Sequence, residues 1–389
     1  MKIIRLETFL ANGGLRNYLF IRLTTDTGLQ GVGEASLEWQ ERTVECLIHE
    51  WVEERVLGCD PFAIEALIGG LIRDQYQGGA TVMTAISGIE IACWDIIGKA
   101  CGQPLYQLLG GRARDELTSY ANGWYGGAST ADDYVAAARR VVSLGFTGMK
   151  FDPFDTAWKN LDREAMNRCE SLVSAVRTAV GDDIDLMIEG HGRLSTASAI
   201  AIGRRLERFA PAWFEEPVAP LAIRGLREVR AALNTPITAG ERMYAFEEFE
   251  QLISSDAVDI VNCDPAHCGG LHVARKIATL AEARSLQLAP HCSIGPVALC
   301  AAVHFGWATP NVKVQEDFSA FDVPWRNEFV SGISFSKPGG FELPTKPGLG
   351  IELDTGACAR HPYVKNSFPS LWDRRWIEEF TKSQSSKAT

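Results

Sequence analysis

From about residue 117 onward, short apolar runs alternate with helical stretches, and seven of the eight runs lead into an ionisable side chain. The runs are LTSYAN, GMKFD, IDLMIE, AWFEE, PITAG, VDIVNCD, LQLAPH and VKVQE. Between them lie amphipathic segments such as ADDYVAAARRVVSLG and HVARKIATLAEARS. Strands alternating with helices of this length imply parallel βαβ units, and eight such units imply a closed barrel. Parallel strands end on one face, so side chains distant in sequence converge there. The expected fold class is α/β, a (β/α)8-type barrel (a modified TIM barrel).

The strand ends carry a chemical pattern. Glu189, Glu215 and Glu241 sit 26 residues apart, about one strand, one helix and two loops. Three converging carboxylates repel one another unless a cation lies between them. Oxygen donors without accompanying cysteine suit Mg2+ better than Zn2+. His191 lies two residues after Glu189, so on a strand it faces the same side and can border a metal without binding it. Asp264 and His291 end adjacent strands. A carboxylate on one ring nitrogen fixes the imidazole tautomer and raises its basicity, which reads as a general base. Lys150, Asp152 and Glu316 complete the set of strand-end groups. Elsewhere the plainer reading holds. His272 and His304 lie inside helices, as core histidines do. Glu216 alternates away from the cavity and pairs with a cation, and Cys292 points into the core.

Ahead of the barrel, residues 1–34 alternate as an antiparallel meander with turns at Asn12–Gly14 and Asp26–Gly28. Residues 41–110 are helical in pattern. The run TAISGIEIACWDIIGKACG is apolar on most sides, hence buried, and closes at Gly102 and Pro104. The domains expected are an N-terminal α+β capping domain over 1–115, the barrel over 116–345, and a C-terminal segment, 346–389, that packs back on the capping domain. That segment holds a late strand in KPGLGIELD and an aromatic tail with Trp372 and Trp376.

The 389 residues, 46% hydrophobic and 22% charged, suffice for a barrel of roughly 250 residues plus a smaller domain. A net charge of −11 argues against nucleic acid or an acidic membrane as partner. An anionic substrate must then be drawn by local cations. Arg5 and Glu7 interrupt the N-terminus, which is therefore not read as a signal peptide. No apolar run approaches the roughly 20 residues needed to span a bilayer. The ten cysteines, scattered singly, read as reduced core thiols of a cytoplasmic protein. Cys263 and Cys268, the closest pair, are a weak metal signal.

AISGIEIACWDIIGKACGQPLYQLLGG, FEEP, AGER, DPAHCGG and APHCSIGP, in that order, resemble the enolase superfamily in its mandelate racemase subgroup. Within it the chain is most similar to sugar-acid dehydratases of the galactonate dehydratase type. The resemblance implies Mg2+ held by Glu189, Glu215 and Glu241, with His191 as general acid and His291, bonded to Asp264, as base. It implies Glu316 beside the bound carboxylate and Lys150 as the first lysine of a Lys-x-Lys motif. Arg16 and Asn17 would lie in a mobile N-terminal loop over the substrate. From their own positions, Trp124 and Tyr125 in NGWYGG after the first strand either line the pocket or pack the loop, and Asp152 either contacts a substrate hydroxyl or forms an ion pair. A small-molecule sugar acid would lose water to give its 2-keto-3-deoxy derivative, in an even-numbered homo-oligomer. Two residues depart from the pattern. The first ligand is usually aspartate, here Glu189, and the second lysine is replaced by Asp152. Three other readings stand beside dehydration: a racemase or epimerase with Lys150 as opposing base, a cycloisomerase, and a non-catalytic barrel that binds metal and sugar acid.

Overall fold

The computed structural model describes residues 1–76, 78–332, 336–337 and 339–365. The chain opens with an antiparallel meander of β1 (Ile3–Asn12), β2 (Asn17–Thr25) and β3 (Gln30–Glu34). The first turn is closed by the Gly13 N–H donating to the Arg16 carbonyl at 2.9 Å. Helices α1 (Glu41–Trp51), α2 (Ile64–Asp74) and α3 (Ala80–Cys101) cover one face, and the short α4 (Leu105–Leu108) follows. Ile21, Leu23, Val44, Ile86, Ile89 and Ile96 meet in their shared core. One expectation needs correction here. α3 is long and apolar enough by composition to cross a membrane, yet most of it is buried inside the fold. It is apolar on nearly every side because it packs on the meander, on its neighbouring helices and on the barrel. Gly102, at φ 63°, ends it in the left-handed conformation that favours glycine.

Eight parallel strands follow: β4 (Leu117–Ala121), β5 (Gly148–Phe151), β6 (Asp185–Glu189), β7 (Trp213–Glu215), β8 (Ile237–Ala239), β9 (Ile260–Val261), β10 (Gln287–Leu288) and β11 (Gln315–Asp317). Strands β4 to β10 pair in sequence order, and β11 pairs with β4. A parallel bridge between Leu288 and Val312 closes the ring. Tyr120, Met187, Trp213, Ile260 and Ala289 cluster together, one from each of five strands or strand ends, and plug the barrel below its C-terminal face.

Between the strands run α5 (Ala131–Ser143), α6 (Arg163–Val180), α7 (Thr196–Leu206), α8 (Ile223–Ala232), α9 (Phe246–Ser254), α10 (Leu271–Glu282) and α11 (Pro296–Ala308). α5, α6 and α7 carry their own N-caps, Thr130, Asp162 and Ser195. α10 and α11 start at Gly270 and Gly295 and have no side-chain cap of their own. Their caps come from the first domain. Glu90 on α3 accepts from Leu271 N (2.9 Å) and His272 N (2.8 Å). Glu34 at the end of β3 accepts from Gly295 N (2.6 Å), Val297 N (3.1 Å) and Ala298 N (3.0 Å). The glycines are required by this approach: a Cβ would lie 2.2 Å from Glu90 at Gly270 and 2.4 Å from Glu34 at Gly295.

Beyond the barrel, Glu352–Leu353 pairs antiparallel with Val330–Ser331. Leu349 N donates to Asp95 at 2.8 Å and Asn12 N to the His361 carbonyl at 2.8 Å, so residues 346–365 touch the first domain. Trp372 and Trp376 lie outside the described residues. All ten cysteines are free thiols, and seven are buried.

Candidate active site

Lys150 on β5 is almost fully buried and its ammonium is ringed by strand-end carboxylates. Nζ lies 2.5 Å from Glu215, 3.0 Å from Glu316, 3.3 Å from Glu189 and 3.8 Å from Glu241. Glu189 and Glu215 are the last residues of their strands, whereas Glu241 lies two residues past β8, after Gly240 at φ 139°. Groups that sequence reading passes over hold the ring in place. Trp213 Nε1 and Asn262 Nδ2 each donate to Glu215 at 2.8 Å. The Asn262 side-chain carbonyl accepts from Glu241 N at 3.1 Å. Asn122 Nδ2 donates to Glu316 at 2.7 Å, and Cys292 N donates to its other oxygen at 2.8 Å.

Four carboxylates against one ammonium leave an excess of buried negative charge. Burial, then Glu215 and Glu241, push Glu189 well above the usual carboxylate range. Burial also raises Glu215, against the pull of Lys150. Glu189 Oε1 accepts from His191 N at 2.6 Å, while Oε2 is buried without a hydrogen bond and has the Lys150 ammonium 3.3 Å away. An unsatisfied buried carboxylate oxygen in a ring of carboxylates is a site for a hard cation. The extra methylene of glutamate is thus accommodated: one oxygen is tied to the backbone and the other is turned to the ring. Burial would lower Lys150, but Glu215 and Glu316 outweigh it and hold it well above its ordinary value. In this ring its ammonium is the counter-charge of Glu215 and Glu316.

Two imidazole–carboxylate pairs border the same cavity. His291 Nδ1 lies 2.8 Å from Asp264 Oδ2. Its Nε2 is 3.5 Å from Glu241 and 3.7 Å from Glu316. Burial would lower this histidine, but Glu241, Glu316 and Asp264 hold it up at about 10. His191 Nδ1 lies 2.7 Å from Asp152 Oδ2. Burial pushes His191 down to about 4, with Glu241 opposing. Both values belong to a ring whose fixed cations are Lys150 and, 3.9 Å from Glu241, Arg242. Neutralising their charge withdraws the field that keeps His291 protonated.

The cavity, ≈ 580 Å3, opens over this ring at the junction of the two domains. The first domain contributes Leu15, Arg16, Leu37, Glu38, Trp39 and Gln40. The barrel contributes Asn122, Tyr125, Lys150, His191, Glu241, Arg242, Tyr244, His267, His291 and Phe318, among others. Arg16 therefore reaches the cavity, ion-paired with Glu38 at 3.3 Å. Three expected substrate contacts do not line it. Trp124 packs inward against Tyr125, Tyr134 and Phe151, and its Nε1 donates to the Lys150 carbonyl at 2.8 Å. Tyr125 takes its place on the wall. Asn17 begins β2 and bonds both ways with the Val364 backbone, at 3.0 and 3.1 Å. Asp152 is turned to His191 and Arg193. Glu216 pairs with Arg242, its Oε2 receiving Nε at 2.6 Å.

His267, which sequence reading also passed over, lines the cavity. Its Nδ1 lies 3.3 Å from Asp264, and its Nε2 lies 2.9 Å from the Ser36 carbonyl. The available signal was its position three residues after Asp264 in a segment rich in glycine.

The sequence matches two family models. Residues 133–357 match the enolase C-terminal domain-like family. Residues 10–110 match the mandelate racemase / muconate lactonizing enzyme N-terminal domain. A D-gluconate/D-galactonate dehydratase of Picrophilus torridus is 36% identical over 338 residues, 86% of each chain. A D-galactonate dehydratase of Verminephrobacter eiseniae is 35% identical over 91% of this chain and 92% of its own. Among solved structures, a mandelate racemase/muconate lactonizing enzyme from Jannaschia sp. CCS1 superimposes with a TM-score of 0.87. It is 32% identical, covering 94% of this chain and 98% of that one. Capping domain, barrel and carboxylate ring together place the chain in one group: it belongs to the enolase superfamily, as a member of the mandelate racemase / muconate lactonizing enzyme family.

Proposed function

We propose that the protein dehydrates a sugar acid of the aldonate type to its 2-keto-3-deoxy acid, with Mg2+ held by Glu189, Glu215 and Glu241. The observation that carries this reading is the opposition, in one cavity, of a carboxylate ring with an unsatisfied oxygen and an imidazole backed by Asp264. The names of the relatives above support the substrate class. A cation bound by the three glutamates would supply Lewis-acid stabilisation of the charge that develops on the substrate carboxylate. Lys150, kept protonated by its neighbours, supplies a second positive charge to the same region.

With Asp264 accepting from Nδ1–H, neutral His291 presents the lone pair of Nε2 to the cavity. Nε2 takes the proton from C2, and the C–H electron pair moves into the C1–C2 bond, giving an enediolate. Collapse of that pair into C2–C3 breaks the C3–O bond. The hydroxyl leaves as water with the Nε2 proton of His191 in its imidazolium form, Asp152 holding Nδ1–H throughout, and the resulting enol becomes the 2-keto acid. Cys292 N and Asn122 hold Glu316 at the rim, and Arg16 and Glu38 offer opposite charges to the distal hydroxyls.

One observation favours a second reading. His191 has a carboxylate of its own, so a proton could be returned to C2 from its side, which would be epimerisation. A screen of aldonic acids with Mg2+, scored for 2-keto acid and for exchange of the C2 proton in D2O, separates the two. Dehydration predicts 2-keto acid from at least one stereoisomer, with exchange lost in His291→Asn. Exchange at the wild-type rate in that variant would sink His291 as the base. A product keeping all its hydroxyls would establish epimerisation.

A further inference from the structure

Asp152 occupies the position where the resemblance leads one to expect a second lysine, and it does not line the cavity. Its carboxylate is fixed on three sides. Oδ1 accepts from Phe154 N at 2.9 Å, and Oδ2 meets both His191 Nδ1, at 2.7 Å, and the Arg193 guanidinium. Arg193 is itself immobilised, 1% exposed, with Nε on the Gly190 carbonyl at 3.2 Å and Nη1 on the Asp155 carbonyl.

His191 needs such a brace. It follows the end of β6 and sits at φ 45° between Gly190 and Gly192. Strand alternation therefore does not set the direction of its ring. Gly190 N donates to the Glu215 carbonyl at 2.8 Å and Gly192 N to the Glu216 carbonyl at 2.7 Å, which pins the bend but leaves the side-chain torsions open. Left-handed backbone at a non-glycine residue costs of order 1–3 kcal/mol and persists where surrounding contacts over-determine it. Among the described residues Nδ1 is the ring nitrogen that protein groups hold, and Nε2 is left to the cavity.

We propose that Asp152, braced by Arg193, is the positioning residue that aims His191 Nε2 at the leaving hydroxyl, so that the second lysine has been exchanged for a support of the acid. This rests on the dehydration reading above. A carboxylate that fixes one ring nitrogen sets both the tautomer and the plane of the imidazole. A misplacement of about 1 Å costs on the order of 100-fold in rate.

The test compares Asp152→Ala and Asp152→Asn with the wild type on three readouts. In Asp152→Ala, dehydration should fall about 100-fold in kcat with KM little changed. Exchange of the C2 proton in D2O, which belongs to His291, should persist within a few-fold. A 3-deoxy-3-fluoro substrate, whose fluoride leaves with less need of an acid, should recover most of the lost rate. Asp152→Asn keeps an acceptor for Nδ1–H and should fall in between. Dehydration and exchange lost together, or fluoride loss as impaired as water loss, would overturn the proposal in favour of a merely structural role. The third readout does not depend on turnover. The 15N imidazole spectrum should show Nδ1 of His191 protonated and bonded to Asp152 in the wild type, with Nε2 the nitrogen that gains and loses the acid proton, and a tautomer mixture in Asp152→Ala. An unchanged spectrum overturns the proposal even if no aldonic acid is ever turned over, whereas absent turnover with a changed spectrum overturns only the dehydration reading.

Discussion

Buried carboxylates do opposite work at the domain seam and at the mouth of the barrel. At the seam, Glu34, Glu90 and Asp95 are fully buried, yet each is met by donors: helix-terminal N–H groups for Glu34 and Glu90, and Val32 N, Leu349 N and Lys99 for Asp95. At the mouth, Glu189, Glu215, Glu241 and Glu316 are comparably buried but crowd round a single ammonium. Burial costs both groups solvation. At the seam backbone hydrogen bonds and helix dipoles return part of it, burial still holding Glu34, Glu90 and Asp95 above the usual carboxylate range, so its carboxylates join two domains. The mouth leaves it partly unrecovered, and that deficit is its affinity for a cation. Identical chemistry at identical depth is structural or functional according to what faces it.

Removing charge should therefore act with opposite sign in the two places. Glu34→Ala orphans three N–H groups at the start of α11 and should cost about 3 kcal/mol in urea unfolding. A loss below about 1 kcal/mol would mean that water replaces the carboxylate and the seam is not dry. The next effect is one of pH. Burial raises Glu90 from 4.5 to about 8, so the folded state keeps a proton that the unfolded chain releases. Stability is then expected to fall as pH rises through that window. One proton corresponds to about 1.4 kcal/mol per pH unit, or roughly 2–3 kcal/mol between about pH 6 and pH 8. Glu90→Gln should flatten that slope in thermal melts at a series of pH values; a slope equal to wild type would show the proton resides elsewhere. The smallest effect has the reverse sign. Glu189→Gln relieves repulsion in the ring and should stabilise the metal-free protein by about 1 kcal/mol while weakening Mg2+ binding by calorimetry. Destabilisation instead would place Glu189 with the seam group.

Much of this was legible in the residues. A run of four or five apolar residues before an ionisable one marks a barrel strand, because the interior needs side-chain bulk and the rim does not. That rule located Lys150, Glu189, Glu215 and Glu316 on or at the end of strands, and Glu241, Asp264 and His291 in the turns just beyond. It failed in the loops, where no periodicity governs direction. Trp124 and Tyr125 are adjacent, equally aromatic and both packed on Phe151 and Tyr134, and only the tertiary structure decides that the first turns its Nε1 to the Lys150 carbonyl while the second lines the cavity. Asp152 could be read as a substrate contact or as half of an ion pair, and only the fold brings it His191 and Arg193 from the next strand's loop as neighbours. The cavity wall at Glu38, Trp39 and Gln40 was visible only as a stretch of loop. Shared caps were also hidden: α10 and α11 lack polar residues at their starts, which reads as a weak helix beginning until Glu90 and Glu34 arrive from another domain.

The sequence by itself determined the number of strands, the order of charged groups along them and the need for a cation. These follow from local patterning and from the repulsion of like charges. Only the tertiary structure decided which oxygen of Glu189 lacks a hydrogen bond, which nitrogen of each histidine faces the cavity, and that four carboxylates gather round Lys150. Those outcomes depend on distances of 2.5 to 3.8 Å between residues up to 166 positions apart, which no local pattern encodes.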